Sequence, residues 1–405
     1  MKSDNEKVFY ASLGEYADVI DPHPSHRAPE EVADGYPFLG IGDIDYFGTA
    51  AFDKVRHVDV SVIEDHEKSY IIDDKTIGYA KMGNTIGKIV SFPDRSKHRY
   101  AISPALSIIN PKPNINPWYL RAVVESYEFW GHVNGKITGS TRPSIGIQQL
   151  RNVPIPIFPN EIQNIIGEIW KVIYDKISLN MKINENLESQ AQAIFKSWFV
   201  DFEPFGGVKP EEWTEKSVYD LAEYINGAAF KKNEYSTEGI PIIKIAELKN
   251  GITDSTQYCR IEKDEKYYFD NKAILFSWSG NPETSIDTFL WYRGKAILNQ
   301  HTFRVVSKYN ASAFTYFLLK YLKPKFTHIA SNKQTTGLGH VTVSDLKRLQ
   351  FSCSTDAIEE FEKMSKPLFD MIYNTYVESN RLSKLRDVLL PKLMNGEIDV
   401  SEVKI

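Results

Sequence analysis

Cysteine is nearly missing from this sequence: Cys259 and Cys353 are the only two in 405 residues, and they stand far apart. Two cysteines so placed argue against a disulfide framework as a source of stability, and neither thiol has the spacing of a zinc ligand. The nine histidines show no metal-ligand spacing either. Long apolar runs are absent as well, since none approaches the roughly 18 residues of a membrane span. The opening Met1-Lys-Ser-Asp-Asn-Glu-Lys7 has no apolar core of the signal-peptide kind, so the expected location is cytoplasmic, with no membrane partner. A general excess of basic residues is also lacking, because the net charge is −5. That balance argues against a simple cationic nucleic-acid binder.

What is present is the composition of an ordinary globular protein, 42% hydrophobic and 25% charged, in a chain long enough for two or three cored domains. Its charge is unevenly spread: −3 over residues 1–157, −4 over 158–212, +5 over 213–352 and −3 over 353–405. The basic segment favours a polyanionic partner without requiring one.

The strongest signal is internal similarity at a spacing near 200 residues. Leu13-Gly-Glu15-Tyr16 recurs as Leu221-Ala-Glu223-Tyr224, and Gly35-Tyr-Pro37-Phe-Leu-Gly-Ile41 as Gly239-Ile-Pro241-Ile-Ile-Lys-Ile245. Asn116-Pro-Trp-Tyr119-Leu120 has its counterpart in Ala313-Phe-Thr-Tyr316-Phe-Leu318. Ile145-x-Ile147-x-x-Leu150-Arg-x-Val153 recurs as Val341-x-Val343-x-x-Leu346-Lys-x-Leu349. Four matches in one order predict two copies of a domain, each with a trailing element. Short apolar runs, Tyr70-Ile-Ile, Gly87-Lys-Ile-Val-Ser, Ala273-Ile-Leu-Phe-Ser and His301-Thr-Phe-Arg-Val-Val, predict strands among Gly, Asn and Asp turns.

The trailing elements read as long helices. Between Ile162 and Trp198 there is no proline, and Ile166, Ile173, Asn180, Leu187 and Ile194 fall seven apart. Ile169, Ile177, Ile183, Ala191 and Trp198 fill the intervening places, which is the pattern of a coiled-coil seam with one polar residue in it. Asn180 either lies in the seam and fixes its register or turns to solvent. Past Pro367 the second helix carries Leu368, Ile372, Leu382, Leu385 and Leu389, with Asn395-Gly396 as its stop. An antiparallel pairing of the two would bury both stripes. The linker Glu203-Pro-Phe-Gly-Gly-Val-Lys-Pro210 suits a chain reversal.

This plan resembles the specificity subunits of type I restriction–modification systems. Asn184-Glu-Asn-Leu187-Glu-Ser-Gln-Ala191-Gln-Ala-Ile-Phe195-Lys-Ser-Trp198-Phe-Val-Asp201-Phe is similar to the family's central conserved region. Arg386-Asp-Val-Leu-Leu-Pro391-Lys-Leu-Met-Asn-Gly396-Glu-Ile resembles its distal one. Gly139-Ser-Thr-Arg142-Pro-Ser resembles the loop that closes a recognition domain; the second copy departs from it with Ser331-Asn-Lys-Gln-Thr-Thr336-Gly. The resemblance implies an α+β fold in which two target-recognition domains, 1–157 and 213–352, are joined by two long antiparallel coiled-coil helices, 158–203 and 353–396, with pseudo-two-fold duplication. Residues 204–212 are then a linker and 397–405 a tail. It also implies a non-catalytic subunit that reads a bipartite site on double-stranded DNA between two modification subunits, with restriction or translocase subunits able to join. S-adenosylmethionine, ATP and Mg would belong to those partners, none to this chain.

The candidate DNA contacts are the loops before each domain's last strand: Ser140, Thr141 and Arg142 in the first copy, Lys333, Gln334, Thr335 and Thr336 in the second. Arginine can take guanine bidentately and glutamine adenine, whereas Ser, Thr and Lys suit phosphates. A solvated polar loop accounts for each of them equally well. Lys231 and Lys232, beside Phe230, fit phosphate contacts or a plain exposed pair. The rival reading is an adenine-N6 methyltransferase, since Phe38-x-Gly40-x-Gly42 matches a cofactor loop and Asn116-Pro-Trp-Tyr119 approaches a catalytic motif. Against it, Asp43-Ile-Asp-Tyr-Phe-Gly48 does not propagate the helix such a loop needs, and the second proline is missing. Gly83-Asn-Thr-Ile-Gly87-Lys88 is one residue short of a phosphate loop, and Glu247-x-Lys249 lacks an upstream Asp. A coiled-coil scaffold without nucleic acid would explain the helices but leave the paired domains without a purpose.

Overall fold

The computed structural model describes residues 8–23, 27–139, 143–334, 338–395 and 397–398. They form two compact units, one of residues 1–178 with 382–405 and the other of 179–381.

In the first unit the chain runs β1 (Phe9–Ser12), α1 (Leu13–Tyr16), β2 (Ala17–Ile20), β3 (Tyr36–Leu39), β4 (His57–Val58), α2 (Val60–Ser69) and β5 (Ile77–Ala80). It continues through β6 (Ile89–Ser91), β7 (Ala101–Ile102), β8 (Leu106–Pro111), α3 (Pro117–Val124), α4 (Tyr127–Asn134), α5 (Ile147–Arg151) and β9 (Pro154–Ile157) into the long α6 (Asn160–Phe199). A four-stranded sheet has the order β2-β8-β5-β6, and a smaller one β4-β3-β7 contains a parallel β3/β7 pair. All four residues of β5 are buried, as a central strand requires. Gly78 is needed there, because a Cβ would lie 2.7 Å from Val90 Cγ2 and 2.8 Å from Phe92 Cζ. Ile77, Ile109, Tyr119, Leu120 and Leu150 join Ile166 and Trp170 of α6 and Leu390 and Leu393 in one core.

The second unit repeats the plan. Its elements are β10 (Thr214–Ser217), α7 (Val218–Leu221), β11 (Ala222–Asn226), β12 (Tyr235–Ser236), β13 (Ile240–Ile243), α8 (Ile245–Asn250), β14 (Tyr258–Cys259), β15 (Tyr268–Phe269) and β16 (Ile274–Ser277). Then follow β17 (Ser279–Gly280), β18 (Asp287–Leu290), β19 (Ala296–Leu298), β20 (Thr302–Ser307), α9 (Ser312–Tyr321), α10 (Lys323–Asn332), β21 (Gly339–His340), α11 (Val343–Arg348), β22 (Gln350–Cys353) and α12 (Thr355–Met394). Its four-stranded sheet, β11-β20-β16-β18, matches that of the first unit strand for strand. The parallel β13/β19 pair matches β3/β7. Each copy also pins its first strand to its last, β1 to β9 and β10 to β22.

Hydrogen bonding corrects one register of the sequence repeat. Leu13 N donates to Val153 O, and Val218 N to Leu349 O, so Leu13 corresponds to Val218. The Leu13/Leu221 match is three residues out of place; Ser12-x-x-Glu15 and Ser217-x-x-Asp220 are the shared helix starts. Tyr70-Ile-Ile is also not a strand. It is an extended segment after α2 whose Tyr70 and Ile72 are buried while Ile71 is 74% exposed. Its Ile71 carbonyl is held by the Asn110 side chain rather than by a neighbouring strand.

Both long helices have 40 residues. Along α6 Gln163 and Gly167 are buried, and the stripe of buried positions runs Ile166, Trp170, Ile173, Ile177, Asn180, Asn184, Leu187, Ala191, Phe195 and Phe199, spaced three and four apart. The stripe thus takes Trp170 and Phe195 where the sequence pattern put Ile169 and Ile194, and it contains two asparagines. In the second unit Asn180, 1% exposed, donates from Nδ2 to Glu378 Oε2 at 2.8 Å and Ser379 Oγ at 3.2 Å. There too Phe195 meets Phe361 edge to face with centroids 5.5 Å apart, so α6 and α12 run antiparallel. In the first unit Arg386 of α12 lies over the Trp170 ring at 5.9 Å. On α12, Ile372 is buried, Leu368, Leu382 and Leu389 are half-buried, and Leu385 is 48% exposed.

Polar contacts lock each domain to its helices. In the first unit the Tyr174 hydroxyl of α6 meets Ser91 Oγ at 2.6 Å, and Arg121 donates to both Ser91 and Glu125 at 2.7 Å. In the second, Tyr316 donates to Glu188 at 2.7 Å and Tyr292 stacks on Tyr376 at 5.0 Å. The first unit also encloses two imidazoles, His23 and His66, with centroids 4.6 Å apart. Burial pushes His66 down to about 4.

Candidate nucleic-acid interface

The loop that closes the first domain leaves α4 and is clamped at its stem. Thr138 and Ser144 exchange two backbone hydrogen bonds of 2.9 Å, Gly83 N donates to Pro143 O at 2.8 Å, and Ile145 N donates to Lys81 O at 2.9 Å. Gly139 turns the chain with φ +86°, a conformation that favours glycine. The stem is therefore fastened to the residues just past β5. Ser140, Thr141 and Arg142, which follow Gly139 in the sequence, lie outside the described residues.

The second domain closes in the same way. Val341 N donates to Trp278 O at 2.8 Å, and β21 pairs with β17 just past β16. Lys333 caps the end of α10, and its ammonium sits 2.5 Å from the Asp345 carboxylate. Asp345 also caps α11, accepting from Thr342 N at 2.8 Å and Thr342 Oγ1 at 2.7 Å. Burial acts to raise the Asp345 carboxyl, but hydrogen bonds from Lys333 and Thr342 outweigh it and hold the group below the usual carboxylate range. Lys333 is thus tied into the stem, while Gln334 is exposed. Thr335 and Thr336 lie outside the described residues. Lys231 and Lys232 are exposed and stand elsewhere, at the turn that enters β12. That turn is fixed by Glu234, which accepts from Lys231 N and pairs with Lys263 at 2.8 Å.

One cluster at the base of the second loop was not legible as a site in the sequence. Trp278 is half-buried, with the rings of His301, Phe303 and His340 5.7, 5.7 and 5.9 Å from its own. Its Nε1 donates to Asn226 Oδ1 at 3.2 Å. Gln300 and His301 are exposed, with side-chain nitrogens 3.4 Å apart. The only available signal was the repeat itself, since correct alignment sets Trp278 against Lys81.

The motifs of the rival reading are structural. Phe38 and Leu39 end β3, and Gly40 enters a turn in which its N–H donates to Asp43 Oδ2 at 2.8 Å. No helix follows. Asn116 is the N-cap of α3, accepting from Trp118 N and Tyr119 N at 2.9 and 3.0 Å. Tyr119 is fully buried and donates to Pro156 O at 2.7 Å. The first unit does hold a cavity of about 580 Å³, lined by Tyr46, Tyr79, Trp130, Trp170 and Arg386 among others, but by none of these motif residues. Glu247 accepts from Lys244 N at 3.0 Å, which makes Glu247-x-Lys249 a helix start. Among the described residues no group of His, Cys, Asp or Glu is placed to hold a metal ion, and no helix is long and apolar enough to cross a membrane.

The family of the type I restriction modification DNA specificity domain matches the chain twice, over residues 24–189 and 210–383. The chain belongs to this family. Each matched segment of the specificity-domain family takes in most of one copy of the domain and much of the long helix that follows it. The specificity subunit of the type I restriction enzyme MjaIX of Methanocaldococcus jannaschii is 27% identical over 315 residues, covering 73% of this chain and 72% of its own. The HindI specificity subunit of Haemophilus influenzae is 24% identical over 444 residues, 89% of this chain and 94% of its own. The crystal structure of a type I S subunit from M. genitalium covers 97% of both chains at 14% identity with a TM-score of 0.52, a likeness of fold.

Proposed function

We propose that this chain is the sequence-reading subunit of a type I restriction–modification complex, a non-catalytic protein whose two domains each bind one half of a bipartite site on double-stranded DNA. The observation that carries the reading is the duplicated loop stem. Two domains share a sheet order and a clamp on the closing loop, yet present different residues there. A constant frame with variable loops is what two independent readers of base sequence require. Two modification subunits then supply S-adenosylmethionine and adenine methylation, and restriction subunits supply ATP- and Mg-dependent translocation and cleavage. The long helices set the half-site spacing. Forty residues at about 1.5 Å each give about 60 Å of helix, more than the roughly 34–36 Å of one duplex turn.

The test is an exchange of residues 213–352 for the corresponding domain of a relative, read out as the methylated motif when the chain is expressed with its modification subunit. One half of the motif should change and the other persist. A change in both halves, or methyl transfer by the purified chain alone, would overturn the proposal.

A further inference from the structure

In the two domains, the residue just past the central strand stands in the same place and does different chemistry. Lys81 follows β5 and Trp278 follows β16, and the backbone oxygen of each accepts the N–H that ends the closing loop, from Ile145 and Val341 respectively. Their side-chain partners correspond as well. Ala17 pairs with Pro111 and Ala222 with Ser307 at the same step of the two sheets, which sets Asp21 against Asn226. In the first domain the pair is an ammonium and a carboxylate 2.5 Å apart, with Lys81 only 2% exposed. In the second it is an indole N–H on a carboxamide oxygen, at 3.2 Å.

The consequences for the surface differ. The Lys81–Asp21 pair is sealed and offers little to a ligand. Trp278 is half-buried and has the rings of His301 and His340 around it, with the Gln300 side chain against His301. The four side chains named here, Trp278, Gln300, His301 and His340, include no carboxylate and no permanent cation, so phosphate is a poor ligand for them. They offer instead a carboxamide, two imidazoles and apolar faces. Those groups match base edges, because a carboxamide can pair with adenine N6 and N7 and apolar groups contact the thymine methyl. Burial lowers the His301 ring, and His340 adds to the effect, which favours the neutral form that both donates and accepts.

We propose that Trp278, Gln300, His301 and His340 form a base-contacting site of the second domain that takes an adenine–thymine pair, with Gln300 on the adenine edge and the aromatic and apolar groups on the thymine side. The site rests on the reading of this chain as a DNA specificity subunit. Gln300 and His301 are exposed, so Gln300→Ala and His301→Ala should leave the thermal midpoint of the chain nearly unchanged. In complex with the modification subunit, each should relax the same adenine–thymine position of one half-site. The discrimination lost there should be roughly 5- to 150-fold, the equivalent of one good bidentate contact, with the other half-site intact. Trp278→Phe should retain the motif more fully than Trp278→Ala.

An unchanged motif in both exposed variants would overturn the proposal, as would relaxation at a guanine–cytosine position or uniform weakening at every sequence. The domain exchange above separates the two levels. If exchange alters one half of the motif while Gln300→Ala and His301→Ala alter nothing, only this site fails. If exchange alters nothing, the reading beneath it fails too.

Discussion

Replacing Asn180 by leucine should stabilise the protein, and the structure indicates by how much. The amide donates to Ser379, worth about 1 kcal/mol, and to the Glu378 carboxylate, worth about 1.5–3 kcal/mol for a charged acceptor. Glu378 is exposed, so its carboxylate recovers most of that from water once the amide is gone. Asn180 Oδ1, by contrast, is buried without a partner, a standing cost of about 1–3 kcal/mol that the substitution removes. A leucine at a position only 1% exposed adds about 1.5–3 kcal/mol of apolar burial. Even at the low end of both gains the balance favours Asn180→Leu by about 0.5–1.5 kcal/mol, or about 1–6 °C in the melting of a unit of this size. Asn180→Ala should go the other way, because it leaves a cavity as well as losing the hydrogen bonds. Urea denaturation of the purified chain reads both. A loss of more than about 1 kcal/mol in Asn180→Leu would refute the argument and show that the amide's bonds outweigh its unpaired oxygen. The gain in stability should come with a loss of discrimination between helix registers, the usual role of one polar residue in such a seam.

Tyr119→Phe should cost about 1 kcal/mol of stability, through loss of the bond to Pro156 O, and should leave methylation by the assembled complex intact; abolished methylation in a folded variant would revive the methyltransferase reading. Arg142→Ala should relax one half-site and leave the other, by about 1–3 kcal/mol of discrimination; an unchanged motif and affinity would make it a solvated loop residue. His66 in the folded chain sits near 4 against its ordinary 6.5, so between those values the unfolded chain holds a proton that the folded chain refuses. Stability should be fully present above pH 6.5 and fall towards pH 4 by at most about 3 kcal/mol, and the fall should be smaller in His66→Phe; equal urea midpoints for the two chains at both pH values would refute it. Four residues inserted in both long helices, after Ser178 and after Arg381, should lengthen each by about 6 Å and move the preferred spacer by one or two base pairs; an active variant with an unaltered spacer would take the ruler role away from the helices.

The duplication, the two long helices and the polar interruption at Asn180 were legible because each leaves a periodic trace within one stretch of chain. The register of the first repeat was not, since Leu-x-Glu-Tyr recurs three residues from where Val153 O and Leu349 O actually hold the chain. The seam was read through Ile194, but the buried positions from Leu187 onward run Ala191, Phe195 and Phe199. There the helix packs into a domain core as well as against Phe361 of α12, and the spacing lengthens from alternating threes and fours to fours. Strict sevens counted from Ile166 pass by Asn184, a further buried amide of the helix. Among the candidate contacts, the start of α11 at Thr342-x-x-Asp345 has the sequence form of a capping box. That Lys333 would commit its charge to that same Asp345 depends on how α10 and α11 meet, which no local pattern records. The place of Trp278 is likewise set by the fold, since the two matching sheets put it where the first domain has Lys81.

The polar layer between the helices also records how such a chain can be built by copying. Both helices are 40 residues long and begin 195 apart, so the residue of α6 that corresponds to Ser379 is Asn184. Asn180 donates to Ser379; in a symmetrical pairing of two first-half helices it would meet Asn184 instead, one carboxamide against another. Carboxamides are self-complementary, each able to give and take a hydrogen bond with its like. In the mirrored pairing of two second-half helices, Thr375 would face Ser379, a match of hydroxyls with the same property. Either half therefore carries a seam able to close on a twin of itself. A protein made of two identical halves would read the same sequence in each, and would be confined to palindromic sites. Fusing two copies in one chain lifts that restriction, because each half can then change its loops without consulting the other.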